Sequence, residues 1–145
     1  MQTLFAAWQF WAVAAAVFAA LTAIFAKVGV EDVDSDLATF VRTVVILFAV
    51  AGLLLASGQW RGFASLTQRS YAFLALSGLA TGASWLCYFR ALKIGDAARV
   101  APLDKLSVVL VAVFAAAFLG ERLGALNWLG IALIAGGAIL VAHRA

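Results

Sequence analysis

Charge is what this sequence has least of. Asp, Glu, Lys and Arg together make up 12% of its 145 residues, against about 25% in an ordinary soluble domain. So few ionic groups cannot cover a water-facing surface, and a soluble globular domain is excluded. Cysteine is represented by Cys87 alone, which rules out an intrachain disulfide and a thiolate metal cluster. In its apolar surroundings Cys87 reads as a small hydrophobe. There is one histidine, His143 near the chain's end, and one proline, Pro102. No Ser-His-Asp set, metal-ligand cluster or phosphate-cradling loop is recognisable, so no catalysis, cofactor or metal is expected. The formal charge of +3 is small and the basic residues are scattered over the loops. Nucleic acid needs a concentrated basic face, and none is formed.

Apolar residues fill the space that charge leaves. They make up 66% of the chain, and the mean hydropathy is +1.08. A bilayer-spanning helix needs about 20 mostly apolar residues. Five runs of that kind occur, at 3–26, 37–58, 70–89, 100–119 and 123–142. The first, third and fifth are uncharged; the second carries Arg42, and the fourth carries Asp104 and Lys105. Each run is about twice the length of a membrane-barrel strand and lacks period-two alternation. The expectation is an all-α membrane protein: one domain over 1–145 with five transmembrane helices. The first run has no basic flank and is too long for a secretory signal, so it reads as a retained helix. No linker tract or internal repeat is visible.

The connections are short. Gly29 suits a left-handed cap for the first helix. Ser35 or Asp36, in the acidic loop Glu31-Asp32-Val33-Asp34-Ser35-Asp36, can cap the second. Gly95 and Asp96 serve as a stop and a cap between the third and fourth, and Gly120-Glu121-Arg122 makes a tight turn before the fifth. Trp8, Trp11, Trp60, Tyr71 and Trp128 all fall towards helix ends on the amino-terminal side of the bilayer, where amphipathic rings prefer to sit. Lys and Arg divide seven to three in favour of the opposite face, or five to three once the intramembrane Arg42 and Lys105 are set aside. That bias is weak. It allows insertion either way up, or a single orientation with the richer face inside.

The intramembrane charges are the candidate site. The second and fourth helices both start on the opposite face. Arg42 and Asp104 therefore lie at similar depth, about 8–9 Å along their helices at ~1.5 Å per residue. Charge within a bilayer usually faces protein or a wet cavity, so one reading is a polar vestibule of Arg42, Arg90, Asp104 and Lys105. The other reading makes Pro102 the first residue of its helix, Asp104 a first-turn carboxylate, and Lys105 and Arg42 snorkelling cations. Trp85 and Tyr88, three residues apart on one helix face, are placed to stack on a cationic or aromatic solute or to pack. Gly78-x-x-x-Gly82 allows close helix approach.

With these residues laid out, the chain resembles a single EamA-type domain of the drug/metabolite transporter superfamily. The resemblance rests on Tyr88-Phe-Arg-Ala-Leu-Lys-Ile-Gly-Asp-Ala-Ala-Arg-Val-Ala-Pro-Leu and on Phe118-Leu-Gly-Glu-Arg-Leu. Trp128-Leu-Gly-Ile-Ala-Leu-Ile-Ala-Gly-Gly and the placement of Arg42 extend it. It implies a transporter of small solutes in the plasma (inner) membrane, working by alternating access, with export favoured over import. Full-length members carry two such five-helix domains as inverted repeats with substrate between them. The resemblance thus implies that this half-size chain pairs with an antiparallel copy of itself, or with a homologous half, to form a ten-helix bundle. The related four-helix multidrug exporters keep a glutamate in the middle of their first helix. This chain has no carboxylate there, so proton coupling would fall to Asp104. The competing readings are a non-transporting accessory subunit and a component that flips lipid-linked headgroups.

Overall fold

The computed structural model describes residues 7–143. Six α-helices follow in chain order: α1 (Trp8–Gly29), α2 (Ser35–Ala56), α3 (Gln68–Ile94), α4 (Ala97–Asp104), α5 (Ser107–Phe114) and α6 (Ala125–Ala142). A 3₁₀ segment, Gln59–Ser65, precedes α3, and one π turn, Ala115–Leu119, continues α5. Taken as one span over Ala97–Leu119, α4, α5 and the π turn bring the membrane-length helices to five, as expected. No strand occurs among the described residues. Residues 3–6 of the expected first helix lie outside them.

These helices bury little of their apolar surface. In none of the five is more than 11% of the most apolar stretch buried within the chain. Large side chains such as Phe48, Leu79, Leu126 and Leu140 stand more than two-thirds exposed. In water that surface would be ruinous, since burial of apolar area is the main favourable term in folding. Lipid removes the penalty, and the helices satisfy their own backbone groups internally.

The helices group into two compact units, one from Ala26–Lys93 and the other from the described residues up to Phe25 together with those from Ile94 onward. Within Ala26–Lys93, Val30 and Leu92 are fully buried and Phe89 nearly so. The α2 cap sits one residue earlier than expected. Asp34 accepts the amides of Asp36 (2.9 Å) and Leu37 (3.2 Å) through its side chain. Ser35 and Thr39, one turn apart, turn inward, and Thr39 donates its hydroxyl to the Ser35 carbonyl at 2.8 Å. Gly29 is not a left-handed cap: among the described residues only Gly58 and Gly120 have positive φ, each at 69°. Gly58 ends α2. The 3₁₀ segment after it is pinned by the Tyr71 hydroxyl, which donates to the Phe63 carbonyl at 3.0 Å. Thr67 then opens α3 by accepting the Ser70 amide at 3.1 Å. Helix α3 runs to Ile94 rather than 89, so Arg90 and Lys93 are helical residues and not part of a loop.

In the other unit α6 packs beside both α4 and α5. Helix α4 begins at Ala97, earlier than the expected 100, which places Pro102 inside it and not at its start. The helix then breaks at Lys105–Leu106. Around the break the amides of Lys105, Leu106, Val108 and Val109 reach back only three residues, to Pro102, Leu103, Lys105 and Leu106. The four-residue register resumes with Leu110 bonding Leu106. A tight stretch of this kind in mid-helix marks strain or a hinge. Downstream, the amides of Gly120 and Glu121 both bond the Ala115 carbonyl, and Gly120 in the left-handed region stops the helix.

Candidate functional site

Four cations from α1, α2 and α3 gather where Ala26–Lys93 closes on itself. Lys27, in the last turn of α1, donates through Nζ to the Leu92 carbonyl at 2.8 Å, satisfying one of the acceptors that the end of α3 leaves free. Lys93 donates to the Val33 carbonyl at 2.6 Å. Arg90 grips Asp36 with two parallel bonds, Nε to Oδ1 at 3.0 Å and Nη2 to Oδ2 at 2.7 Å. Fork-to-fork pairing of this kind fixes orientation as well as charge. Asp36 therefore works as the counter-ion of Arg90, while Asp34 does the capping.

Arg42 is held differently. It is the eighth residue of α2, and its guanidinium carbon lies 3.6 Å from the centre of the Trp85 ring, with Phe89 at 5.6 Å. Residues 36 and 42 on α2 thus meet 90 and 85 on α3, so the two helices run antiparallel. The sequence offered Trp85 as a platform for a cationic solute, yet the cation on that platform is the chain's own. Arg42 Nη1 is buried and has no hydrogen-bond partner among the described residues. Tyr88 is half-buried on the same helix, three residues beyond Trp85.

Asp104 and Lys105 belong to the other unit and stand at the break between α4 and α5. Lys105 Nζ lies 3.3 Å from Asp104 Oδ2, an ion pair between neighbours in sequence. Asp96 occupies the cap position of α4 and accepts the Arg99 and Val100 amides through its carbonyl, while its side chain makes no cap bond and faces Arg99 at 3.7 Å. Glu121 and Arg122 are exposed in the turn after Gly120. A Cβ added to Gly78 or Gly82 meets nothing within 4 Å, so the small-residue face that these two form on α3 is open and not packed within the chain. Among the described residues no group of three or more His, Cys, Asp or Glu side chains is arranged to hold a metal.

The sequence reading grouped Arg42 and Arg90 with Asp104 and Lys105 in one vestibule and set Trp85 and Tyr88 aside as a stacking pair. It gave no sign that Arg42 and Trp85 stack, or that Arg90 pairs with Asp36. The Lys27 and Lys93 bonds escaped it as well, because a long side chain bonding a backbone carbonyl leaves no motif behind. Only the last-turn positions of these lysines hint at such a role.

Comparison with known proteins places this geometry in a family. The EamA-like transporter family matches residues 6–143. A protein from Sinorhizobium sp described as "Uncharacterized transporter in cobO 3'region" is 64% identical over 135 residues, covering 93% of this chain and 96% of that one. No solved structure matches the chain. The five membrane-length helices and a family match over nearly their whole extent agree: the chain belongs to the EamA-like transporter family and is a multi-pass transmembrane protein.

Proposed function

We propose that this protein carries small solutes across the plasma membrane by alternating access, in the direction of export, as an antiparallel pair of identical chains. The observation that carries the reading is the discontinuous fourth span. Transporter sites form where a membrane helix is interrupted and its freed polar groups face a cavity, and here the interruption falls beside Asp104 and Lys105. The pathway is assigned to Arg42, Trp85, Tyr88, Arg90, Asp104 and Lys105. Asp104 is the carboxylate on which a coupled proton would ride. The family relationship supports transport, as does the description of the Sinorhizobium relative as a transporter. Two such chains in opposite senses would supply the inverted repeats that one lacks.

The test is flux in liposomes containing the purified protein alone, assayed over a panel of radiolabelled anionic, cationic and zwitterionic solutes. Uptake of at least one class, abolished by Asp104→Asn together with Arg42→Gln, is the expected result. No flux of any class, with the protein folded and correctly inserted, would overturn transport and leave an accessory subunit as the better reading.

A further inference from the structure

Where α1 and α3 end and α2 begins, several charged side chains are paired or bonded to carbonyls. Arg90 is neutralised by Asp36, and Lys27 and Lys93 are bound to carbonyl oxygens. Asp34 is committed to the α2 amides. Arg42, deeper along α2, is held differently. It is about 10 Å into a membrane-length helix, counting seven residues from Ser35 at ~1.5 Å each, and within its unit it forms no ion pair with a described carboxylate. Trp85 covers the flat face of the guanidinium and contributes a cation–π attraction. A ring over the face does nothing for the N–H groups, which point outward in the guanidinium plane. Nη1 is sealed from solvent without an acceptor. A guanidinium nitrogen closed off without an acceptor is costly, and the retention of a charge in a membrane segment points to use.

We propose that Arg42 is a receptor for an oxyanion, and that the solute this protein carries bears a carboxylate. The proposal deepens the transport reading and names its substrate class. The chemistry follows from the surroundings. A guanidinium with one face stacked keeps its planar fork of donors free, and that fork matches the two oxygens of a carboxylate. The rings beside it are Trp85, whose near face the guanidinium covers, and the buried Phe89, with Tyr88 half-buried on the same helix. Trp85 is thus a positioning residue: it holds the guanidinium plane and leaves the donors to the ligand. A phosphate oxygen of a lipid headgroup offers the same chemistry from a different source, so the experiment has an arm for each.

The full-length protein is reconstituted in phosphatidylcholine nanodiscs, and benzoate and benzylammonium are titrated separately while tryptophan emission is followed. Benzoate is expected to change the emission saturably and benzylammonium is not. Arg42→Gln is expected to weaken benzoate binding about tenfold or more, the size of a lost charge-assisted hydrogen bond. Arg42→Lys keeps the charge but not the fork, and should fall between. Trp85→Phe should retain binding while losing the spectral change, which is then read by calorimetry. In the second arm, native mass spectrometry counts co-purifying phosphatidylglycerol. Loss of that lipid in Arg42→Gln, with no benzoate binding to the wild type, keeps the oxyanion site but makes its ligand a headgroup. Wild-type protein that neither binds benzoate nor retains the lipid overturns the proposal outright, as does benzoate binding unchanged in a folded Arg42→Gln protein. Both readouts are of binding and independent of flux, so transport of cations alone would sink the carboxylate assignment and leave the carrier standing.

Discussion

At the scale of single residues, one position in the chain decides how α2 begins. Asp34, Ser35 and Asp36 are all good capping residues, and composition alone does not choose among them. Tertiary pairing does. Arg90 takes the Asp36 carboxylate, Ser35 is buried, and Asp34 is left to accept two amides. Asp34→Ala should therefore cost about 1 kcal/mol of stability, the usual value of a cap, read as a lowered midpoint in thermal unfolding followed in detergent. Asp36→Asn should also lower the midpoint, but no further once Arg90→Gln is already present, because its role is the pair and not the cap. Equal, additive losses at Asp34 and Asp36 would mean that both act as caps. The same reasoning shows where sequence reading stops. Arg42 was legible as an intramembrane charge from its neighbours along α2. Its resting place on Trp85, forty-three positions later by subtraction of the two residue numbers, depends on how α2 and α3 align. No local pattern carries that alignment.

At the scale of elements, the helices themselves were legible because the bilayer sets their length and apolar composition reports it. What was not legible is how they end. Gly29, Gly58 and Gly120 look alike as helix stops, yet only Gly58 and Gly120 enter the left-handed region. Gly29 stays helical because Val30 continues the ladder to Ala26 at 2.9 Å, and the fully buried Val30 side chain fixes the exit instead. Since an added Cβ finds open space at both Gly29 and Gly120, any difference between alanine substitutions there is conformational. Gly120→Ala should destabilise by about 1–2 kcal/mol, the cost of a left-handed residue bearing a Cβ. Gly29→Ala should be neutral or stabilise by up to about 1 kcal/mol, as for glycine replaced within a helix. Thermal midpoints of the two variants, measured side by side, check the contrast; a loss at Gly29 equal to that at Gly120 would contradict it. The break in the fourth span is a harder case. Pro102 lacks the amide that would bond Ala98, but the three-residue bonds lie after it, at Lys105 to Val109. Proline accounts for a weakened ladder before the break and not for the break itself.

At the scale of the whole molecule, the open face on α3 and the weak charge bias bear on one question: whether the proposed partner is an upside-down copy. A two-fold axis lying in the membrane plane inverts each helix onto its mate, so identical positions meet only near mid-depth. A two-fold axis along the membrane normal brings identical positions together at every depth. Helix α3 spans Gln68–Ile94 with its centre near residue 81, and Gly82 lies beside that centre on the unpacked small-residue face. Because Cys87 is the single native thiol, Cys87→Ser gives a clean background for engineered cysteines. In that background Gly82→Cys should form a same-residue disulfide in native membranes, whereas Ser70→Cys and Lys93→Cys, near the two ends, should not. Reporter fusions at each terminus should at the same time give signal from both sides of the membrane. Same-residue crosslinking at Ser70 or Lys93, with reporters confined to one side, would establish a parallel assembly, and the inverted-repeat carrier would have to be built from two different chains.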